Sequence, residues 1–174
     1  FKFESLKVAV INLDDEYAPY FLSFGSDQAF GYTQRPKEIE EHNWPEQLKI
    51  LSIDQLQSGI HGTDFSCQDQ IIHLPILGAF NAFNALNAIA VALSQEIDWP
   101  IIRSGLAAIP GLAGRLEMID QGQPFSVIVD YAFEPVALSK IYETLELVNH
   151  KKIIHVLGSA GGGRDVARRR QPRP

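Results

Sequence analysis

Residues Ala79 to Gln95 read AFNAFNALNAIAVALSQ, a stretch rich in alanine and leucine with neither glycine nor proline. That composition over this length predicts a helix. At about 100° per residue, Phe83, Leu86, Ala90 and Leu93 share one broad apolar face, with Phe80 at its edge. Upstream the period is that of strands. Leu6 to Asn12 (LKVAVIN) is a short β-branched run closing on Asn12-Leu13-Asp14-Asp15, as a buried parallel strand followed by a loop would be. Gln28 to Thr33 is a second, weaker strand, and the charged segment Arg35 to Glu46, with two prolines, reads as a solvated loop. From Lys49 to His73 the runs KILSIDQL, HGTDFSC and QIIHL, with turn candidates at Gly59, Gly62 and Gln68-Asp69, predict a small antiparallel meander.

Downstream, a helix with Pro100 in its first turn is expected over Trp99 to Ala108, ended by Pro110-Gly111. Strands are expected at Arg115 to Asp120 and Ser126 to Asp130, a helix opening on proline at Pro135 to Asn149, and a strand at Lys152 to Leu157 that runs into the glycines of Gly158 to Gly163. This alternation predicts an α/β fold with a mostly parallel sheet and helices on its faces. A boundary is expected after Asp130, giving units 1–130 and 131–174; the second holds too little structure to be a complete domain.

The composition narrows the function. Of 174 residues 45% are hydrophobic and 21% charged, which suits a globular chain. Twenty-one acids against 15 bases give a net charge of −6, but five of those bases are arginines among the last eleven residues. The rest of the chain sits near −10, which argues against a nucleic-acid-binding surface. No apolar run reaches the roughly 18 residues of a membrane helix. The single cysteine, Cys67, has no partner for an internal disulfide and fits a reducing, cytoplasmic setting. A start at Phe1 suggests a fragment.

Several residues could carry chemistry. Gly158-Ser159-Ala160-Gly161-Gly162-Gly163-Arg164-Asp165 follows an expected strand, where glycine amides could hold an anion. It matches neither the Walker loop nor the G-x-G-x-x-G fingerprint, and a flexible turn explains it as well. Asn81 and Asn84 lie about 60° apart on the helix, at the border of its apolar face. Capping of the first turn by Asn81 is the favoured role, and reading the polar edge of a nucleobase is the alternative. Arg115 opens one strand and Asp130 closes the next, where α/β proteins place ligand groups. Arginine there could neutralise a transferring phosphoryl group and aspartate could bind ribose hydroxyls; a surface ion pair is the plainer account. His61, His73 and His155 show no metal-ligand spacing, Cys67 has no neighbouring base, and Asp14-Asp15 is expected to cap a following helix, with cation binding as the alternative.

Taken in order, Asn12 to Asp15, Gly78 to Ala85 (GAFNAFNA), Gly111 to Glu117 (GLAGRLE), Val129 to Pro135 (VDYAFEP) and Gly158 to Asp165 resemble the Mur ligases, most of all the tripeptide-forming UDP-N-acetylmuramoyl-dipeptide ligases. The resemblance runs from about Lys7 to Arg169. It implies the second half of a central ATP-binding domain, followed by the start of a Rossmann-like C-terminal domain. Such enzymes use ATP to turn a substrate carboxylate into an acyl phosphate, which an amino-acid amine then attacks. By that resemblance Asn81 and Asn84 contact adenine, Arg115 the γ-phosphate as the catalytic residue, and Asp130 the ribose. Tyr131 belongs to an interdomain hinge, and Arg164 and Asp165 to a loop near the incoming substrates, a UDP-muramoyl peptide and an amino acid.

The chain also departs from the family. The phosphate-cradling G-T-x-G-K-[S/T] loop and the magnesium ligands are expected upstream of Phe1, so no metal-binding residue is assigned here. The family usually has histidine then threonine where this chain has Phe133 and Glu134, and after Arg169 it continues where this chain reads Arg170-Gln171-Pro172-Arg173-Pro174. That tail suggests an early stop or a shifted frame. The expectation is a ligase fragment inactive by itself, with a non-catalytic nucleotide-binding or interaction module as the alternative. A nicotinamide-dependent oxidoreductase is weaker, because no acidic ribose ligand follows about 20 residues after the glycines.

Overall fold

The computed structural model describes residues 6–39, 44–59, 61–147 and 149–158. They form two compact units that divide between Leu112 and Ala113. This precedes the division expected after Asp130, because the segment from Ala113 to Asp130 folds back on itself instead of extending the first unit's sheet.

In the first unit, β1 (Val8–Asn12), β2 (Gln28–Thr33) and β3 (Leu48–Ser52) form a parallel sheet in that order. Val8 stands opposite Gln28, and Ala29 opposite Leu48. β1 is an edge strand, so its side chains are half-buried where full burial was expected. The crossovers are brief: α1 (Ala18–Leu22) after β1 and α2 (Pro36–Ile39) after β2. The latter is a helical turn where a loop was expected, with proline at its first position, where the missing N–H costs nothing.

The run KILSIDQL does not form one meander strand. Its first half is β3, in the parallel sheet; the chain bends at Asp54, whose N–H donates to the Ser66 carbonyl, and only then enters β4 (Gln55–Gly59). β4 pairs antiparallel with β5 (Gly62–Cys67), which pairs with β6 (Gln70–Leu74). Gln68 and Asp69 join β5 to β6 with φ of 48° and 60°, the left-handed pair that a two-residue hairpin requires.

Helix α3 (Phe80–Ser94) packs on all three strands of the parallel sheet and on β5, while α4 (Trp99–Ala107) packs on β6. Its buried face is Ala82, Ala85, Leu86, Ile89 and Ala90, rotated from the expected stripe. The alanines allow the helix backbone close to the sheet, and Phe83 stays half-buried beside Tyr32, ring centroids 4.9 Å apart. Leu51, Ile72, Leu86 and Ile89 are fully buried and centre the core.

The second unit holds β7 (Glu117–Ile119), β8 (Val127–Val129) and α5 (Pro135–Leu145). β7 and β8 pair antiparallel, Glu117 opposite Val129, which corrects the parallel arrangement expected there. The short Asp120 to Ser126 connection permits a hairpin, whereas parallel pairing needs a crossover of a dozen residues or more. Lys152 to Leu157 is not a strand among the described residues; Ile154 and Val156 are exposed. β-branched residues extend the chain, but a strand also needs a neighbour to take its backbone hydrogen bonds.

Candidate functional site

The candidate residues fall into two groups, one in each unit. In the first, residues of α3 make a row of carboxamides. Asn81 Nδ2 donates to the Leu77 carbonyl at 2.6 Å, Asn84 Nδ2 to Asn81 Oδ1 at 3.1 Å, and Asn87 Nδ2 to the Tyr32 hydroxyl at 3.2 Å. Asn81 therefore does not cap the helix. The cap position is Ala79, without a side-chain cap bond, and Asn81 instead satisfies a carbonyl of the incoming turn. Half-buried Asn81 orients Asn84, whose carboxamide is exposed. The helix thus presents a donor-acceptor group fixed from behind, as recognition of a polar ring edge requires.

Asp14 and Asp15 also separate in role. Asp15 accepts the Tyr17 N–H at 2.9 Å, just ahead of α1. Asp14 caps nothing: it accepts the Thr33 hydroxyl at 2.5 Å and the Gln34 N–H at 2.9 Å, with Arg35 Nε at 3.4 Å. Its carboxylate ties the end of β1 to the end of β2.

In the second unit two turns are bonded to one another. Gly114 and Leu116 have φ of 70° and 46°, so the chain reverses on either side of Arg115. Tyr131 donates its N–H to the Gly114 carbonyl at 2.8 Å, and Leu116 donates to Asp130 Oδ2 at 2.8 Å. Ala132 donates to Asp130 Oδ1 at 2.6 Å, and Gly114 to Glu117 Oε2 at 2.7 Å. Arg115 is exposed, its guanidinium carbon 5.8 Å from the centre of the Tyr131 ring, within the range of a cation–π contact. Arg115, Asp130 and Tyr131 are therefore brought together. Both oxygens of Asp130 are engaged by backbone, an arrangement not anticipated from its place at a strand end. Glu117 was also missed as a site residue, although it closes the Gly111 to Glu117 motif. Arg164 and Asp165 lie outside the described residues, as do Ser159 to Gly163.

Among the described residues no three His, Cys, Asp or Glu side chains gather as a metal site. His73 Nδ1 meets Asp64 Oδ1 at 2.7 Å and His155 Nδ1 meets the Tyr142 hydroxyl at 2.6 Å, both on the surface. No helix of the described residues is long and apolar enough to cross a membrane.

Cys67 is fully buried, and burial, with the negative charge of Asp54 adding, pushes its thiol from 9.0 up to about 11 despite an opposing backbone hydrogen bond at Ser52. The thiolate is the reactive species, so a disulfide reagent at pH 8 should label Cys67 only after denaturant is added. Because the folded value is the raised one, this stabilisation is complete below pH 9.0 and is lost as pH rises through about 11. It amounts to about 3 kcal/mol over that window, and Cys67→Ala should flatten that part of a urea-denaturation pH profile.

Comparison with known proteins decides the family. Residues 1–92 match the Mur ligase middle domain, and residues 114–172 match the Mur ligase glutamate ligase domain. The chain belongs to the Mur ligase family. Over 168 residues, 97% of the chain, it is 35% identical to the UDP-N-acetylmuramoyl-L-alanyl-D-glutamate–2,6-diaminopimelate ligase of Syntrophomonas wolfei, covering 33% of that protein. It is 32% identical over 170 residues to the UDP-N-acetylmuramyl-tripeptide synthetase of Roseiflexus, covering 96% of this chain and 32% of that one. The crystal structure of MurF from Acinetobacter baumannii shares the fold, with a TM-score of 0.61 at 20% identity over 82% of this chain and 30% of its own. This Mur ligase chain spans about a third of the length of the curated relatives it matches.

Proposed function

We propose that the chain is part of an ATP-dependent, cytoplasmic ligase that adds the third amino acid to UDP-N-acetylmuramoyl-dipeptide. In the reaction, a carboxylate oxygen of the dipeptide attacks the γ-phosphorus and the bond to the departing ADP breaks. The amine of the incoming amino acid then attacks the acyl carbon, the C–O bond to phosphate breaks, and the nitrogen loses a proton. The relatives named above for tripeptide formation support this substrate class. The observation that carries the nucleotide part is the exposed Arg115 on a backbone-braced turn, a fixed positive charge suited to a terminal phosphate. Asn84, oriented by Asn81, suits the adenine edge. Asp130 has each oxygen bonded once and retains lone pairs for ribose hydroxyls. In this reading Tyr131 belongs to the interdomain hinge, and Arg164 and Asp165 belong to the substrate-binding residues.

Magnesium is expected from the family, but the described residues gather no ligand set for it, and no step is assigned to it. The 174 residues also contain no G-x-x-x-x-G-K-[S/T] stretch, so by themselves they are proposed to bind ATP weakly without turning it over. The test supplies the chain with ATP, magnesium, UDP-N-acetylmuramoyl-dipeptide and a diamino acid, and follows phosphate release alongside an ATP titration. Release at the level of buffer is expected, with saturable ATP binding weakened about tenfold by Arg115→Ala, the value of one charge-assisted hydrogen bond. Turnover overturns the inactivity. Absence of ATP binding overturns the nucleotide assignment for this chain.

A further inference from the structure

We propose that Glu117 is a positioning residue that sets the Arg115 turn and keeps the arginine's charge available; the phosphate it would serve rests on the nucleotide reading above. Two carboxylates, Glu117 and Asp130, lie within bonding distance of the backbone on either side of Arg115. Acidic groups so close in space would ordinarily be expected to pair with the guanidinium. Among the described residues neither does. Glu117 Oε2 takes the Gly114 N–H and Asp130 Oδ2 takes the Leu116 N–H, so the amides flanking Arg115 are held by acids while its side chain lies exposed beside Tyr131.

The backbone explains why two braces are needed. Leu116 adopts φ of 46°, a left-handed conformation that costs a residue with a Cβ free energy and persists only where its surroundings hold it. Leu116 is buried, which anchors the far side of the turn. On the near side Gly114 has open space around it and a left-handed φ of its own; its carbonyl is held by the Tyr131 N–H, and Glu117 is the side chain that holds its own N–H. Glu117 can do this because β7 begins there, and its pairing with Val129 of β8 fixes where its side chain starts. The same bond withholds the carboxylate from Arg115, two residues away. One side chain thus both shapes the turn and prevents it from neutralising itself.

The experiment compares the unaltered chain with Glu117→Ala and Glu117→Gln by NMR, titrating each with ATP and with adenosine. Glu117→Ala should weaken ATP about tenfold and adenosine much less, because the turn carries Arg115 for the phosphate while Asp130 keeps its bond to the Ala132 N–H. Glu117→Gln keeps an acceptor oxygen and should recover most of the ATP affinity. Unchanged ATP affinity in Glu117→Ala overturns the inference, as does a glutamine variant no better than the alanine one, which would mean that charge and not acceptance is needed. Without nucleotide, amide exchange at Gly114 and contacts between Arg115 and the Tyr131 ring report the turn directly. Should the unaltered chain not bind ATP, the nucleotide reading fails, and these two signals still decide the positioning role. Their loss in Glu117→Ala with recovery in Glu117→Gln sustains it, and their persistence in Glu117→Ala refutes it.

Discussion

Asp130→Ala is expected to destabilise the second unit by about 3 kcal/mol and to release Arg115 from Tyr131. The carboxylate accepts two backbone N–H groups, from Leu116 at 2.8 Å and from Ala132 at 2.6 Å. Hydrogen bonds to a charged acceptor contribute about 1.5–3 kcal/mol each, and here both are part-buried, so water recovers some of the loss. Leu116 also holds a left-handed φ, and Asp130 is the side chain that takes its N–H. Asp130→Asn keeps one acceptor oxygen but turns an NH2 donor toward an N–H, and should lose about half as much. Amide exchange across the second unit during urea titration makes the comparison. Leu116 and Ala132 should lose protection together in the alanine variant. If both amides exchanged at the unaltered rate, the bonded pair of turns would not exist in solution. ATP affinity should fall as well, since Arg115 depends on the same turn.

The second large effect is Gly62→Ala, expected to cost about 3–5 kcal/mol. Gly62 opens β5 with φ of 133°, a conformation that side-chain-bearing residues rarely adopt, and an added Cβ would fall on the carbonyl oxygen of Leu74 and press on Pro75. All of these atoms are backbone, so no flexible side-chain end can yield. Displacement there disturbs Thr63, which is fully buried and donates to the Ile76 carbonyl at 3.1 Å, and so the segment leading into α3. Gly59, opposite Gly62 in the register, provides the control: nothing lies within 4 Å of its Cβ position, so Gly59→Ala should move the urea midpoint little. Equal midpoints for the two variants would contradict the register described for β4 and β5.

Particular elements explain how far the chain could be read in advance. Helix α3 was legible because seventeen residues without a breaker favour one local conformation whatever surrounds them. The Gln68-Asp69 turn and the proline openings of α4 and α5 were legible because turn chemistry is local. KILSIDQL misled, since an apolar β-branched run signals a strand without saying which sheet it joins. Asp14 misled for a related reason: it sits where a cap is common, and it spends its carboxylate on Thr33 and Gln34, brought near by folding. The bonds of Asp130 to Leu116 and Ala132 were hidden from the sequence in the same way. The motifs named Asn81, Asn84, Arg115, Asp130 and Tyr131, while Glu117 lay inside one of them without a role.

Helix α3, the strand character of the runs that precede it and the family were written in the chain itself, because they follow from periodicity and from motifs that need no partner to be recognised. The antiparallel turn-back of β7 on β8, the relay from Asn81 to Asn84 and the carboxylates that grip the backbone around Arg115 came only from the folded molecule. A hydrogen bond is decided by which donor lies within about 3 Å of which acceptor, and residues 14 apart, as Leu116 and Asp130 are, meet only once the chain between them has folded.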